Sequence, residues 1–123
     1  MKHPLVAIAD DDLSFANYLK TFLASRGYES RIYGHGEELL AAARHGDVPD
    51  VVLSDIGMHG MDGFEFVGKL RGEPTLKSVL CIALSGFGQE ADVKMAENAG
   101  FDAHLKKPVM LEDLLHVFSR LRT

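Results

Sequence analysis

The chain has 123 residues, 46% of them hydrophobic and 25% charged, with a formal net charge of −5 at pH 7. That describes one compact domain large enough to bury its own core, and the acidic balance leaves no electrostatic footprint for nucleic acid. A lone cysteine, Cys81, excludes an intramolecular disulfide framework and fits a reducing compartment; the short apolar start, cut off by Asp10, Asp11 and Asp12, is neither a signal peptide nor a membrane span, so a cytoplasmic location is expected.

Short apolar runs alternate with longer amphipathic ones along the chain. Residues 5–9 are apolar and end in acids. Phe15, Leu19, Phe22 and Leu23 then recur at helical spacing, and Gly27 stops the pattern. Residues 29–33 are polar and read as an edge strand, while residues 37–43 are rich in Leu and Ala and close at Gly46. Residues 51–54 form a second apolar run, ending at Asp55. Phe64, Val67 and Leu70 make a helical stripe before Gly72 and Pro74. Residues 79–84 form a third run, closed by Ser85 and Gly86. Residues 90–99 are helix-prone and end at Gly100, a good residue just past a helix. Residues 103–105 form a weaker run, closed by Lys106, Lys107 and Pro108, and Leu111, Leu114, Leu115, Phe118 and Leu121 form the clearest stripe. Near-continuous apolar runs suit strands buried on both faces of a parallel sheet. Their alternation with helices predicts an α/β class, and right-handed crossovers predict a doubly wound sheet. A ligand site is then expected beyond the carboxyl ends of the strands.

The polar residues collect at those ends: Asp10 and Asp11 after the first strand, Asp55 after the third, Ser85 after the fourth and Lys107 after the fifth. Carboxylates gathered in one cleft repel one another unless a cation joins them or one holds a proton. A hard cation with oxygen ligands suits them, and Mg²⁺ is the natural candidate. A metal, a lysine and a hydroxyl around one carboxylate compose a phosphoryl-transfer site, with the carboxylate oxygen as nucleophile.

Four stretches carry a family resemblance: Ala-Asp-Asp-Asp at 9–12, Leu-Ser-Asp-Ile-Gly-Met-His-Gly-Met-Asp-Gly at 53–63, Leu-Ser-Gly at 84–86 and Lys-Lys-Pro at 106–108. All four in order, each at a strand end, make the chain resemble a response-regulator receiver domain of two-component signalling. The resemblance runs from about Leu5 to the end of the last helix. It implies a flavodoxin-like sheet of five parallel strands in the order 2-1-3-4-5, with helices on both faces. It implies Asp55 as the acceptor of a phosphoryl group from a sensor histidine kinase or its phosphotransfer domain. Asp10, Asp11, Asp55 and the backbone carbonyl of Gly57 would hold Mg²⁺. Lys107, Ser85 and the Gly86 N–H would hold the phosphoryl group, and Ser85 and His104 would act as the switch. The Lys107–Pro108 bond would be cis. A homodimer through the fourth helix, fifth strand and fifth helix, and a downstream protein partner, are further implications. Residues 84–90 and 100–105 are most similar to receivers of hybrid sensor kinases. The expected organisation is a single receiver domain over 1–123, with no DNA-binding output domain in this chain.

The chain departs from the family pattern at His59, where proline is usual, and at His104, where Tyr or Phe is usual. Gly57 and Phe87 flank the acceptor without polar side chains, which implies slow loss of the phosphoryl group. Plainer readings apply elsewhere: Asp12 and Asp62 as helix caps, Cys81 as a small core residue, His35, His45 and His116 as surface residues. Two other functions fit parts of the pattern. One is a pseudo-receiver that binds proteins without phosphorylation. The other is a Mg²⁺-dependent phosphatase with an aspartyl intermediate, disfavoured because Gly57 stands where such hydrolases carry an acid/base aspartate. A flavin binder is rejected, since three aspartates after the first strand would repel the flavin phosphate. The expected activity is thus self-phosphorylation without turnover.

Overall fold

A computed structural model describes residues 4–58, 60–86 and 90–119. His59, Phe87 and Leu121, each weighed above, lie outside the described residues. Five strands, β1 (Leu5–Ala9), β2 (Glu29–Tyr33), β3 (Val51–Asp55), β4 (Leu80–Ser85) and β5 (Ala103–Lys106), alternate with five helices. These are α1 (Leu13–Ser25), α2 (Gly36–Arg44), α3 (Gly63–Arg71), α4 (Glu90–Ala99) and α5 (Leu111–Phe118). The strands form one parallel sheet in the order β2-β1-β3-β4-β5. The sheet is therefore the flavodoxin-like, doubly wound one that the sequence predicts, with polar β2 at an edge.

Strand alternation explains why the central strands read as unbroken apolar runs. Ala7, Ala9, Val52, Cys81 and Ala83 point to one face and pack under Leu39 and Leu40 of α2, Phe66, Val67 and Leu70 of α3, and Ala96 of α4. Val6, Ile8, Val51, Leu53, Ile82 and Leu84 point to the other face, against Leu19 and Leu23 of α1 and Leu114, Val117 and Phe118 of α5. Cys81 is buried as expected, and burial pushes its thiol up to about 12. Asp12 and Asp62 are caps: their side chains accept from the backbone N–H of Phe15 and Glu65. No helix among the described residues is long and apolar enough to cross a membrane.

Two stripes sit differently from the sequence reading. In α3 the buried positions are Gly63, Phe66, Val67 and Leu70, with Phe64 only partly covered. The spacing of three that links 64, 67 and 70 drifts around a helix of 3.6 residues per turn. The true face is i, i+3, i+4, i+7, and its first member is a glycine, which carries no apolar signal. In α1, Ala16 takes the fully buried place beside Leu19, Phe22 and Leu23, and Phe15 packs at the margin of the same cluster, only partly buried.

One side chain ties α3 to the approaches of β4 and β5. Arg71, the last residue of α3, donates to the carbonyls of Lys77 (3.0 Å) and Val79 (2.8 Å) before β4, and through two nitrogens to Gly100 (3.0 and 2.9 Å) after α4. It also pairs with Asp102 at 2.8 Å, whose carboxylate accepts from the Cys81 N–H at 2.9 Å. A planar fork fits this set of acceptors and an ammonium does not. Arg71→Lys is expected to lower the unfolding free energy by about 2 kcal/mol, since several part-buried carbonyls lose their donor. Chemical denaturation measures it; a midpoint equal to that of the unmodified protein would refute the assignment.

Candidate functional site

The opposite, carboxyl ends of the strands carry the polar residues. The sheet ladder continues past the strands and fixes them: Asp10 N–H donates to Tyr33 O (3.0 Å), Ile56 N–H to Leu84 O (3.0 Å) and Lys107 N–H to Ser85 O (2.7 Å). Asp10 and Asp11 leave β1, Asp55 closes β3, Ser85 closes β4 and Lys107 follows β5. Gly63 lets α3 begin directly against the acceptor strand. Its N–H donates to Ile56 O at 2.9 Å, and a Cβ there would lie 2.6 Å from the Asp55 carbonyl oxygen. Both sides of that contact are backbone, so neither can give way.

The expected acids converge: carboxylate oxygens of Asp10, Asp11 and Asp55 lie within 4.8 Å of one another. The Lys107 ammonium donates to Asp10 Oδ2 at 3.1 Å and stands 3.6 Å from Asp55 Oδ1. It also lies 4.4 Å from the centre of the Phe15 ring, a cation–π distance. The Lys107–Pro108 bond is cis, as the resemblance implied. The Ser85 hydroxyl faces His104, with Oγ 2.9 Å from Nε2. Gly57 is exposed and has open space where a side chain would stand; Gly86 is exposed beyond β4.

Two features were not read from the sequence. Lys107 is bound to Asp10 across 97 residues of chain, whereas the sequence reading gave it only a phosphoryl oxygen. Phe15 packs against the core as its apolar stripe predicts, and its ring also lies against the ammonium. Its place one turn into the helix that follows Asp11 was the available signal.

Asp10 is fully buried, with 0% exposure, and its carboxyl is held above the usual carboxylate range. Burial is the main cause, and the charge of Asp55 adds to it; the Asp12 N–H at 2.9 Å and Lys107 pull the other way. A hard cation touching all three carboxylates would relieve both penalties, so the donor set fits Mg²⁺. A raised carboxyl contributes stability that is complete below the ordinary carboxylate range and is lost as pH rises through the raised value. At neutral pH without divalent metal, ionised Asp10 therefore opposes folding. Asp10→Asn keeps an acceptor for the Asp12 N–H and removes the charge. Under chelation at pH 7 it is expected to raise the unfolding free energy by roughly 1 kcal/mol. Denaturant titrations across pH check this, and a variant that loses stability at pH 7 would contradict it.

A family model for the response regulator receiver domain matches residues 6–119. The chain is 29% identical to the chemotaxis response regulator CheY4 of Vibrio cholerae, whose solved structure agrees with a TM-score of 0.88 over 98% of this chain and 99% of that one. It is 28% identical to the signal receiver domain of a signal transduction histidine kinase from Syntrophus aciditrophicus, with a TM-score of 0.86 over 96% of this chain and 89% of that one. The DNA-binding response regulator MtrA of Mycolicibacterium paratuberculosis is 30% identical over 118 residues, 95% of this chain and 51% of that protein, so the chain spans about half the length of that relative. The matched residues take in the whole cleft from Asp10 to Lys107, and the chain belongs to the response regulator receiver domain family.

Proposed function

We propose that Asp55 accepts a phosphoryl group from a phosphohistidine of a sensor histidine kinase or its phosphotransfer domain, in a Mg²⁺-dependent reaction. The observation that carries this reading is the Lys107 ammonium 3.6 Å from the Asp55 carboxylate, in a cleft shared with two further acids. A carboxylate oxygen of Asp55 attacks phosphorus, the P–N bond to the donor imidazole breaks, and the leaving imidazole keeps the electron pair and takes a proton. Mg²⁺, held by Asp10, Asp11, Asp55 and the Gly57 carbonyl, would neutralise charge on the carboxylates and the transferring group.

Lys107 now shares its ammonium between Asp10 and Asp55. With the phosphoryl group in place it turns to a phosphoryl oxygen, and Phe15 keeps the ammonium over the cleft during that exchange. Ser85 and the Gly86 N–H supply the remaining donors, and Ser85 and His104 transmit the change. The product stays on Asp55, because Gly57 offers no side chain to direct water at it; the domain is a signalling acceptor without turnover. The likeness to CheY4 and to a kinase receiver supports a role beside a histidine kinase, with a protein partner downstream, in the cytoplasm.

Incubation with Mg²⁺ and acetyl phosphate, followed by intact-mass measurement, is expected to add one phosphoryl group to the protein and none to Asp55→Asn. Chelation should abolish the gain. No gain from any donor would instead favour a module that binds partners unmodified. Repeated turnover of a generic phosphate ester would make the protein a phosphatase.

A further inference from the structure

Ser85 and His104 meet on the α4 side of the sheet. The register pairs Ala83 with His104 and Ser85 with Lys106, and Ala83 packs in the cluster beneath α2, α3 and α4. Strand alternation puts Ser85 and His104 on that same face. Ser85 is 5% exposed, so water does not compete for its hydroxyl, and His104 Nε2 stands 2.9 Å away.

A serine hydroxyl has one proton to give, and an imidazole nitrogen either accepts or donates. While Nε2 is bare it takes the Ser85 proton, and the hydroxyl has no donor left for a phosphoryl group on Asp55. Once a ring that keeps its proton on Nδ1 takes up a second one on Nε2, Nε2 donates to Oγ, and the Ser85 O–H is released toward the cleft. The two arrangements exclude each other, and the histidine decides between them.

We propose that His104 is a positioning residue for the phosphoryl group: protonation of Nε2 turns the Ser85 hydroxyl away from the imidazole and toward Asp55, so that phosphorylation of the acceptor takes up one proton from solvent. The inference rests on the acceptor reading above and deepens it. The O–H···N contact breaks, an N–H···O contact forms in its place, and the freed O–H donates to a phosphoryl oxygen; the added negative charge on Asp55 is what favours the imidazolium. Because the phosphorylated form holds more protons, its advantage is complete below the pH at which His104 titrates in the unmodified protein and is lost as pH rises through the raised midpoint of the phosphorylated form.

Charged residues lie on the elements around this imidazole. β4 contributes Ser85 and no charged side chain. Asp102, just before β5, and Lys106, at its end, stand two residues to either side of His104; Asp102 is engaged by Arg71 and Lys106 is exposed. α4, packed over β5, contains Glu90, Asp92, Lys94 and Glu97 in its sequence. Ser85→Ala leaves these groups in place, so it isolates the part that passes through Oγ.

The test follows the His104 imidazole carbon resonances by NMR across pH in the Mg²⁺-loaded chain, with and without saturating acetyl phosphate. Intact mass on the same samples reports phosphorylation separately. The expected result is a titration midpoint that rises by about one pH unit on phosphorylation, a tenfold gain in proton affinity. Ser85→Ala should lose the rise and Ser85→Thr should keep it. His104→Gln, a permanent donor of similar reach, should give an aspartyl-phosphate lifetime that no longer follows pH as the unmodified protein's does. A midpoint unmoved by phosphorylation, or a rise that survives Ser85→Ala, overturns the proposal. Absence of any mass gain overturns the acceptor reading instead. In that case the donor-free samples still decide the contact: a His104 midpoint identical in the unmodified protein and Ser85→Ala refutes it.

Discussion

Repulsion among Asp10, Asp11 and Asp55 is the constraint around which the carboxyl end of the sheet is organised. Carboxylate oxygens within 4.8 Å of one another, one side chain wholly out of water, are an arrangement that the free chain would not adopt. Lys107 offsets part of the cost by reaching Asp10 and Asp55 from the end of β5. The remaining negative charge makes the cleft receptive to a divalent cation and, with that cation, to a phosphoryl group. Stability is thus given up at the place where binding restores it.

Such a cluster holds only if the strands beneath it do not yield. Each central strand buries both faces, one under α2, α3 and α4 and the other under α1 and α5. At the amino ends Arg71 ties α3 to the approaches of β4 and β5. At the carboxyl ends the bare backbone of Gly63 lets α3 start in contact with the Asp55 carbonyl. The acceptor's strand is held at its carboxyl end by α3 and at its amino end by Asp50, which bonds the Leu5 backbone, while Ser85 and His104 on the neighbouring pair meet through their side chains. Rigid and adjustable parts lie side by side, which suits a switch that must hold its nucleophile still and move its reporter.

The alternation of apolar runs and amphipathic stripes was enough to foretell an α/β sheet, because burial on two faces leaves a compositional mark that needs no neighbour to interpret. The strand-end residues were legible for the same reason: each polar residue interrupts an apolar run at its close, and the parallel topology sends every close to one side. Where the reading slipped, the missing information was three-dimensional. Gly63 concealed the true face of α3 because a position that packs by having no side chain looks empty in a hydrophobic pattern. Phe15 reads as core and packs against it, but a hydrophobic pattern does not show that the same ring also meets a cation.

The sequence by itself determined the class of fold, the end of the sheet at which chemistry would occur, and the residues that would meet there. These depend on residue type and local period, which the chain carries in one dimension. Only the tertiary structure decided who touches whom. That Lys107 binds Asp10, that Phe15 lies against its ammonium, and that His104 holds the Ser85 hydroxyl depend on distances of a few ångströms between residues far apart in the chain. Such distances are set by the register of strands and the seating of helices, and no local pattern encodes them.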